Sequence, residues 1–315
     1  MAFTVDILKE AGSHVVSLKN ENEDCEAVIY TFGALLNAFS LATPKGRINV
    51  VDGFASPADA RKNITAGFKS AKLSPFVCRL NKGEYHFKGK QYKVDKFYLG
   101  NEAIHGLIFD AQFEIADYRE GEDYASVKLN YKYNCEDKGF PYAYAIEVVY
   151  HLEINNRLDI ITTVKNTGNT DMPLSDGWHP YFCLGETVND LTVQFNSNRM
   201  VEFDDRLLPT TNLLSNAAFE QPIRFGDTFL DNCFQLKNFD VPSCILLDGK
   251  TGIQLSITAE SSYPYLQVYT PPHRKSIAVE NLSSPPDAFN NGISLIVAKP
   301  GESYSFITTY ELTAI

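Results

Sequence analysis

No run of lysine or arginine long enough to form a basic stripe occurs in this chain. Its 28 Lys and Arg residues are outnumbered by 39 Asp and Glu, giving a net charge of −11. Nothing therefore favours a nucleic-acid or anionic-membrane partner. No apolar stretch approaches the ~20 residues that a spanning helix needs. The first residues, Met1-Ala2-Phe3-Thr4-Val5-Asp6, carry an acid where a secretory leader has basic residues. A cytoplasmic location is the expectation. The six cysteines (Cys25, Cys78, Cys135, Cys183, Cys233, Cys244) form no C-x-x-C pair, and the six histidines form neither H-x-H nor H-E-x-x-H. Reduced, mostly buried thiols are expected, with no metal site. Glycine-rich phosphate loops of either common pattern are also lacking, so no nucleotide cofactor is expected. Helical periodicity is scarce; the best short candidate is residues 56–61, with Ser56 as N-cap and Pro57 at the first helical position.

What the chain has in quantity is strand signal. Residues 127–133 and 191–195 alternate with period two, and β-branched and aromatic runs recur at 145–154, 158–164, 253–257, 266–270 and 304–310. Turn residues separate them, including Asn155-Asn156, the run 166–169, the run 248–252 and Lys299-Pro300-Gly301. With no linker-like segment and no internal repeat, the chain reads as one all-β domain over residues 1–315. The architecture expected is a large antiparallel β-sandwich with few short helices.

Against that frame, five places carry chemistry-bearing residues. Ser175-Asp176-Gly177-Trp178-His179-Pro180-Tyr181-Phe182 sets an imidazole between the only tryptophan and two further aromatics. Flat rings cover the apolar face of a pyranose, and an imidazole exchanges protons near neutral pH. Arg79 interrupts an apolar, strand-like run at 75–80, ahead of an expected hairpin at 85–92. His105 precedes Gly106, Asp231 lies among apolar neighbours, and Glu280 ends a β-type run before the rigid loop Ser283-Ser284-Pro285-Pro286. Taken singly, each has an ordinary reading. Arg79 suits a sheet-edge charge, His105 a turn, and Asp231 a side-chain-to-backbone bond. Alternation leaves Glu280 either on a wet face or on the floor of a concave cleft.

In order and spacing, these elements resemble the aldose 1-epimerase (galactose mutarotase) family along nearly the whole chain. The resemblance rests on Gly33-Ala34-Leu35-Leu36, Gly53-Phe54-Ala55-Ser56-Pro57-Ala58-Asp59, Arg79 to Gly83, His105-Gly106, Trp178 to Phe182, Asp231-Asn232-Cys233-Phe234 and Val279 to Asn290. It implies a galactose mutarotase-like supersandwich that interconverts the α- and β-anomers of a free aldohexose without cofactor or metal, as a monomer or homodimer. Glu280 would be the base at O1 and His179 the acid at O5. His105 would bind near the ring oxygen, Arg79 and Asp231 would bind hydroxyls, and Trp178 would shape the pocket. The chain departs from the family pattern at Trp178 (often Asn), Asn232 (often His) and Cys78 (often Gly), which touches the sugar's identity more than the reaction. Two alternatives share the fold. One is a hexose-6-phosphate 1-epimerase drawing on Lys72, Lys82, Arg61 and Arg274. The other is a carbohydrate-binding protein without catalysis.

Overall fold

The computed structural model describes residues 2–20, 22 and 24–315; Met1, the first residue of the N-terminal segment read above, lies outside them. Period-two burial decides the architecture. In Tyr144–Glu153 the side chains of Tyr144, Ile146, Val148, Tyr150 and Leu152 are buried between half-buried neighbours, and Arg157–Asn166 buries Leu158, Ile160, Thr162 and Val164 in the same way. Register sets Val148 opposite Thr162 and Tyr150 opposite Ile160. Aromatic and β-branched side chains thereby pair across one face.

These two strands sit within a nine-stranded sheet. Its spatial order is Glu114–Glu120, Tyr124–Tyr133, Tyr144–Glu153, Arg157–Asn166, Ser303–Ala314, Ile253–Ala259, Cys244–Asp248, Thr192–Phe195 and Ile223–Arg224. An eight-stranded sheet runs Pro209–Ser215, Arg199–Phe203, Asp231–Gln235, Tyr265–Tyr269, Ile277–Leu282, Gly177–His179 and Ala71–Leu73, with Tyr181–Phe182 also paired to Ile277–Leu282. Every pairing in both sheets is antiparallel. One hydrophobic core joins them: Val148 and Ile160 from the larger sheet pack with Leu266, Val268, Ile277 and Val279 from the smaller. The first five strands, from Phe3–Glu10 to Gly46–Asn49, form a further meander that feeds the same core. The antiparallel sandwich expected from strand spacing is what forms.

Helix is confined to short pieces. Ser56 caps Pro57–Asn63 by accepting the Asp59 amide at 3.1 Å, as its sequence implies. A single tight turn, Ile64–Ala66, then delivers residues 65–68 to the site described below. The run at 75–80 differs from its strand reading. Only Arg79–Leu80 pairs, against Ala103 and Ile104, because Cys78 takes a left-handed φ of 48° and turns the chain. The hairpin that follows forms from Glu84–Phe87 and Lys90–Lys93. Cys25, Cys78, Cys233 and Cys244 are buried free thiols, while Cys135 is exposed and Cys183 half-buried. Among the described residues, no helix is long and apolar enough to cross a membrane.

Candidate active site

All six residues of Ile277–Leu282 are buried, so both faces of this strand are covered. Ile277 and Val279 enter the core between the sheets, and Asn281 follows them, its Nδ2 donating to Thr308 Oγ1 at 2.6 Å. Alternation then turns Glu280 to the opposite face. Register places Gln267 directly beside Glu280, and Asp231 beside Tyr269. His179 shares this outer face because its neighbour Trp178 faces the core. The result is a cleft of about 260 Å³ whose ionisable and amide side chains include Arg79, His105, His179, Asp231, Gln267 and Glu280. Of the two positions open to Glu280, the floor of a concave cleft is the one it occupies, 2% exposed.

The segment that follows Glu280 holds the opposite wall. Asp287 donates its amide to the Arg79 carbonyl at 2.8 Å and accepts the Asn81 amide on Oδ1 at 2.9 Å. Asn290 Nδ2 donates to the same Oδ1 and to the Glu84 carbonyl. The rigid Pro285-Pro286 loop is thus a clamp on the arginine segment. His105 stands at φ 64° with its amide on the Cys78 carbonyl at 2.8 Å. Gly106, at φ 76°, lies so close to Ser74 that a Cβ would come within 2.3 Å of its carbonyl oxygen. Only glycine fits there.

At the centre, His179 Nε2 lies 3.4 Å from Glu280 Oε1, while the other carboxylate oxygen faces Cys78 Sγ at 3.9 Å. The His105 and His179 rings meet edge to face at 4.7 Å, Tyr181 stacks on His179 at 5.1 Å, and Phe68 covers His105 at 4.5 Å. Gln267 Nε2 donates to Asp231 Oδ1 at 2.8 Å, and its own oxygen is buried with no partner among the described residues. The Nδ1 atoms of both histidines likewise have no partner among the described residues. Burial dominates the proton balance. It raises Glu280 well above the usual carboxylate range, with a further push from Asp231 and opposing pulls from Arg79 and the Cys78 thiol. Burial lowers His179 to about 4 and pulls His105 well below its ordinary value, helped by His179 and Arg79. Asp231 is raised by burial, with Arg79 and Gln267 opposing. These shifts favour the proton on the Glu280 carboxyl with His179 neutral; the ionised carboxylate with a protonated ring is the minor arrangement of the same one-proton pair.

The sequence model of the aldose 1-epimerase family matches residues 14–311. The chain belongs to the aldose 1-epimerase family. It is 27% identical over 241 residues to the uncharacterized protein YihR of Escherichia coli (strain K12), covering 74% of this chain and 75% of that one. It is also 27% identical over 208 residues to an aldose 1-epimerase of Streptococcus thermophilus, covering 62% of this chain and 56% of that one. In fold it matches a galactose mutarotase-like protein from Clostridium acetobutylicum, with a TM-score of 0.87 at 19% identity over 99% of both chains.

Five of the six site residues expected of an aldose 1-epimerase converge: Arg79, His105, His179, Asp231 and Glu280 all line the cleft. Trp178 does not. Strand geometry sends it to the face opposite His179, where it is 3% exposed. Its Nε1 donates to Thr162 Oγ1 at 3.2 Å across the sandwich, and Lys72 Nζ lies 4.4 Å over its ring. The expectation that it shapes the pocket is corrected accordingly. Aromatic cover comes instead from Phe68, Phe97, Tyr181 and Tyr269. Gln267 was also missed by sequence reasoning, although a lone amide in the apolar run Tyr265–Tyr269 was a usable signal.

Proposed function

We propose that this aldose 1-epimerase family member interconverts the α- and β-anomers of a free aldohexose. The observation that carries this reading is the convergence of a carboxyl and an imidazole, 3.4 Å apart, on the floor of one aromatic-walled cleft. Reacting from the arrangement with the pair's one proton on His179 and Glu280 ionised, Glu280 accepts the proton of the anomeric hydroxyl as the C1–O5 bond breaks. The bonding pair goes to O5, which takes a proton from His179. Rotation about C1–C2 and the reverse transfers close the ring on the other face. Nothing is oxidised and no group leaves. Arg79, whose guanidinium has no hydrogen-bond partner among the described residues, supplies charged donors to the sugar hydroxyls. Asp231 and Gln267 supply paired acceptors, and His105 binds beside His179.

The cleft's charges favour a neutral sugar over a phosphorylated one. None of the four cations offered above for a phosphate lines the cleft. Lys72 is fully buried on Asp176, and Arg61 bonds Gly12 and Gln112 while lying over Phe32. Arg274 bonds Asn189, Gly226 and Thr228. The test is polarimetry on freshly dissolved α-glucose, α-galactose and glucose 6-phosphate. Acceleration of the free sugars well above that of the phosphate is expected. Preference for the phosphate, or binding with no acceleration, would overturn the assignment.

A further inference from the structure

Two opposite charges lie in the core behind the acid and take no part in the chemistry above. Lys72 is the one lysine or arginine that is buried among the described residues. Its ammonium donates to Asp176 Oδ1 and, at 3.0 Å, to the Gly177 carbonyl, while the Tyr263 hydroxyl donates to the same Oδ1 at 2.6 Å. Burial lowers the lysine to about 8 and raises the aspartate, each shift opposed by the partner's charge. A buried pair of this kind adds little stability that well-packed apolar side chains would not give. Its best-attested use is to select one register over its neighbours.

The strand beside it is short of other means to hold its register. Gly177–His179 has three residues and shares a single register pair with the strand of Glu280, Gly177 opposite Leu282. On its other side Trp178 pairs with Lys72. Alternation puts Asp176 and Trp178 on the core face and His179 on the cleft face. A slide by one place would carry the Asp176 carboxylate out of the core and leave the Lys72 ammonium there without a counter-charge. Asp176 also ties the two reacting strands together. Its amide donates to Ser283 Oγ at 2.8 Å, its carbonyl accepts the Ser283 amide at 2.9 Å, and Ser283 closely follows Glu280 in the chain. We infer that Lys72 and Asp176 are positioning residues, whose buried pair fixes the register of Gly177–His179 and so seats the imidazole against the carboxyl. This inference rests on the anomer-exchange reading proposed above and extends it to the core behind the site.

The experiment compares wild type with the double variant Lys72→Met/Asp176→Asn by polarimetry on fresh α-glucose and α-galactose, with rates expressed per folded molecule. The double variant should lose about 10–100-fold in kcat, the scale reached when a reacting group is misplaced by about 1 Å. KM should change by less than about twofold, because Arg79, Asp231 and Gln267 stand on other strands. Asp176→Asn alone keeps the side chain's shape and an acceptor for the lysine, so it should lose less than the double variant; it is judged in the same way if the double variant fails to fold. In a His179→Asn background the same substitutions should cost less than about twofold further, since their effect passes through the imidazole. Wild-type kcat in the variant, a loss carried by KM alone, or an undiminished loss in the His179→Asn background overturns the positioning role. Wild type that accelerates neither sugar overturns the epimerase reading itself, and the inference with it.

Discussion

Replacing Glu280 by glutamine keeps the shape of the side chain and removes its capacity to take a proton. Losing a positioned base costs typically about 10²–10⁴-fold, equivalent to about 3–5 kcal/mol of transition-state stabilisation. The structure places this variant toward the larger loss. Glu280 is 2% exposed, so once a sugar fills the cleft little room is left for water to act in its place. The other cleft carboxylate, Asp231, lies two strands away and is held by Gln267. Folding should change little, because the carboxyl is already pushed toward its neutral form by burial. The assay is polarimetry on a fresh anomer, corrected for the spontaneous rate, with a denaturant melt as control. His179→Asn should lose a comparable amount, and the double variant little more than either single, since the two groups act as one unit. Near-normal activity in Glu280→Gln with an unchanged melt, or fully additive losses in the double variant, would refute the acid–base assignment.

The pH profile of kcat/KM should be bell-shaped, reporting the free enzyme. Below about pH 4 His179 takes up a proton, the pair then holds two, and no base remains, so activity falls as pH drops. On the alkaline side the pair loses its one proton as pH passes the raised value of Glu280. Activity then falls with rising pH, well above the ordinary carboxylate range; an alkaline limb near pH 4.5 would contradict this. Trp178→Ala should cost about 3–5 kcal/mol in denaturant unfolding. Trp178→Phe should leave KM for the hexose within about twofold, because the ring is in the core. A raised KM in Trp178→Phe with unchanged stability would return the indole to the cleft.

Much of this molecule was readable in order because strand period and turn chemistry are local. The strands Tyr124–Tyr133, Tyr144–Glu153 and Arg157–Asn166, and the Ser56 cap, follow from neighbouring residues alone. Arg79, His105, His179, Asp231 and Glu280 were found as odd polar residues in apolar settings, and family resemblance joined them. The failures were of direction and of distance along the chain. Trp178 was placed by sequence adjacency to His179, whereas adjacent strand residues face apart. Gln267 acquires its meaning only from a register that pairs it with Glu280. The left-handed turn at Cys78 broke a run whose hydrophobicity alone read as a strand. Residues 65–68 reach the cleft through a short helix whose own sequence says nothing of a sugar.

The pairing of Trp178 with His179 on one short strand ties the site to the evenness of residue counts. Gly177 is held opposite both Leu282 and Leu73. A single insertion or deletion that slid this strand by one place would exchange the two rings. The indole would enter the sugar's space, and the imidazole would lie in the core between Thr162 and the buried Lys72. Length changes upstream of this strand are therefore tolerable only if the loop before it absorbs them entirely.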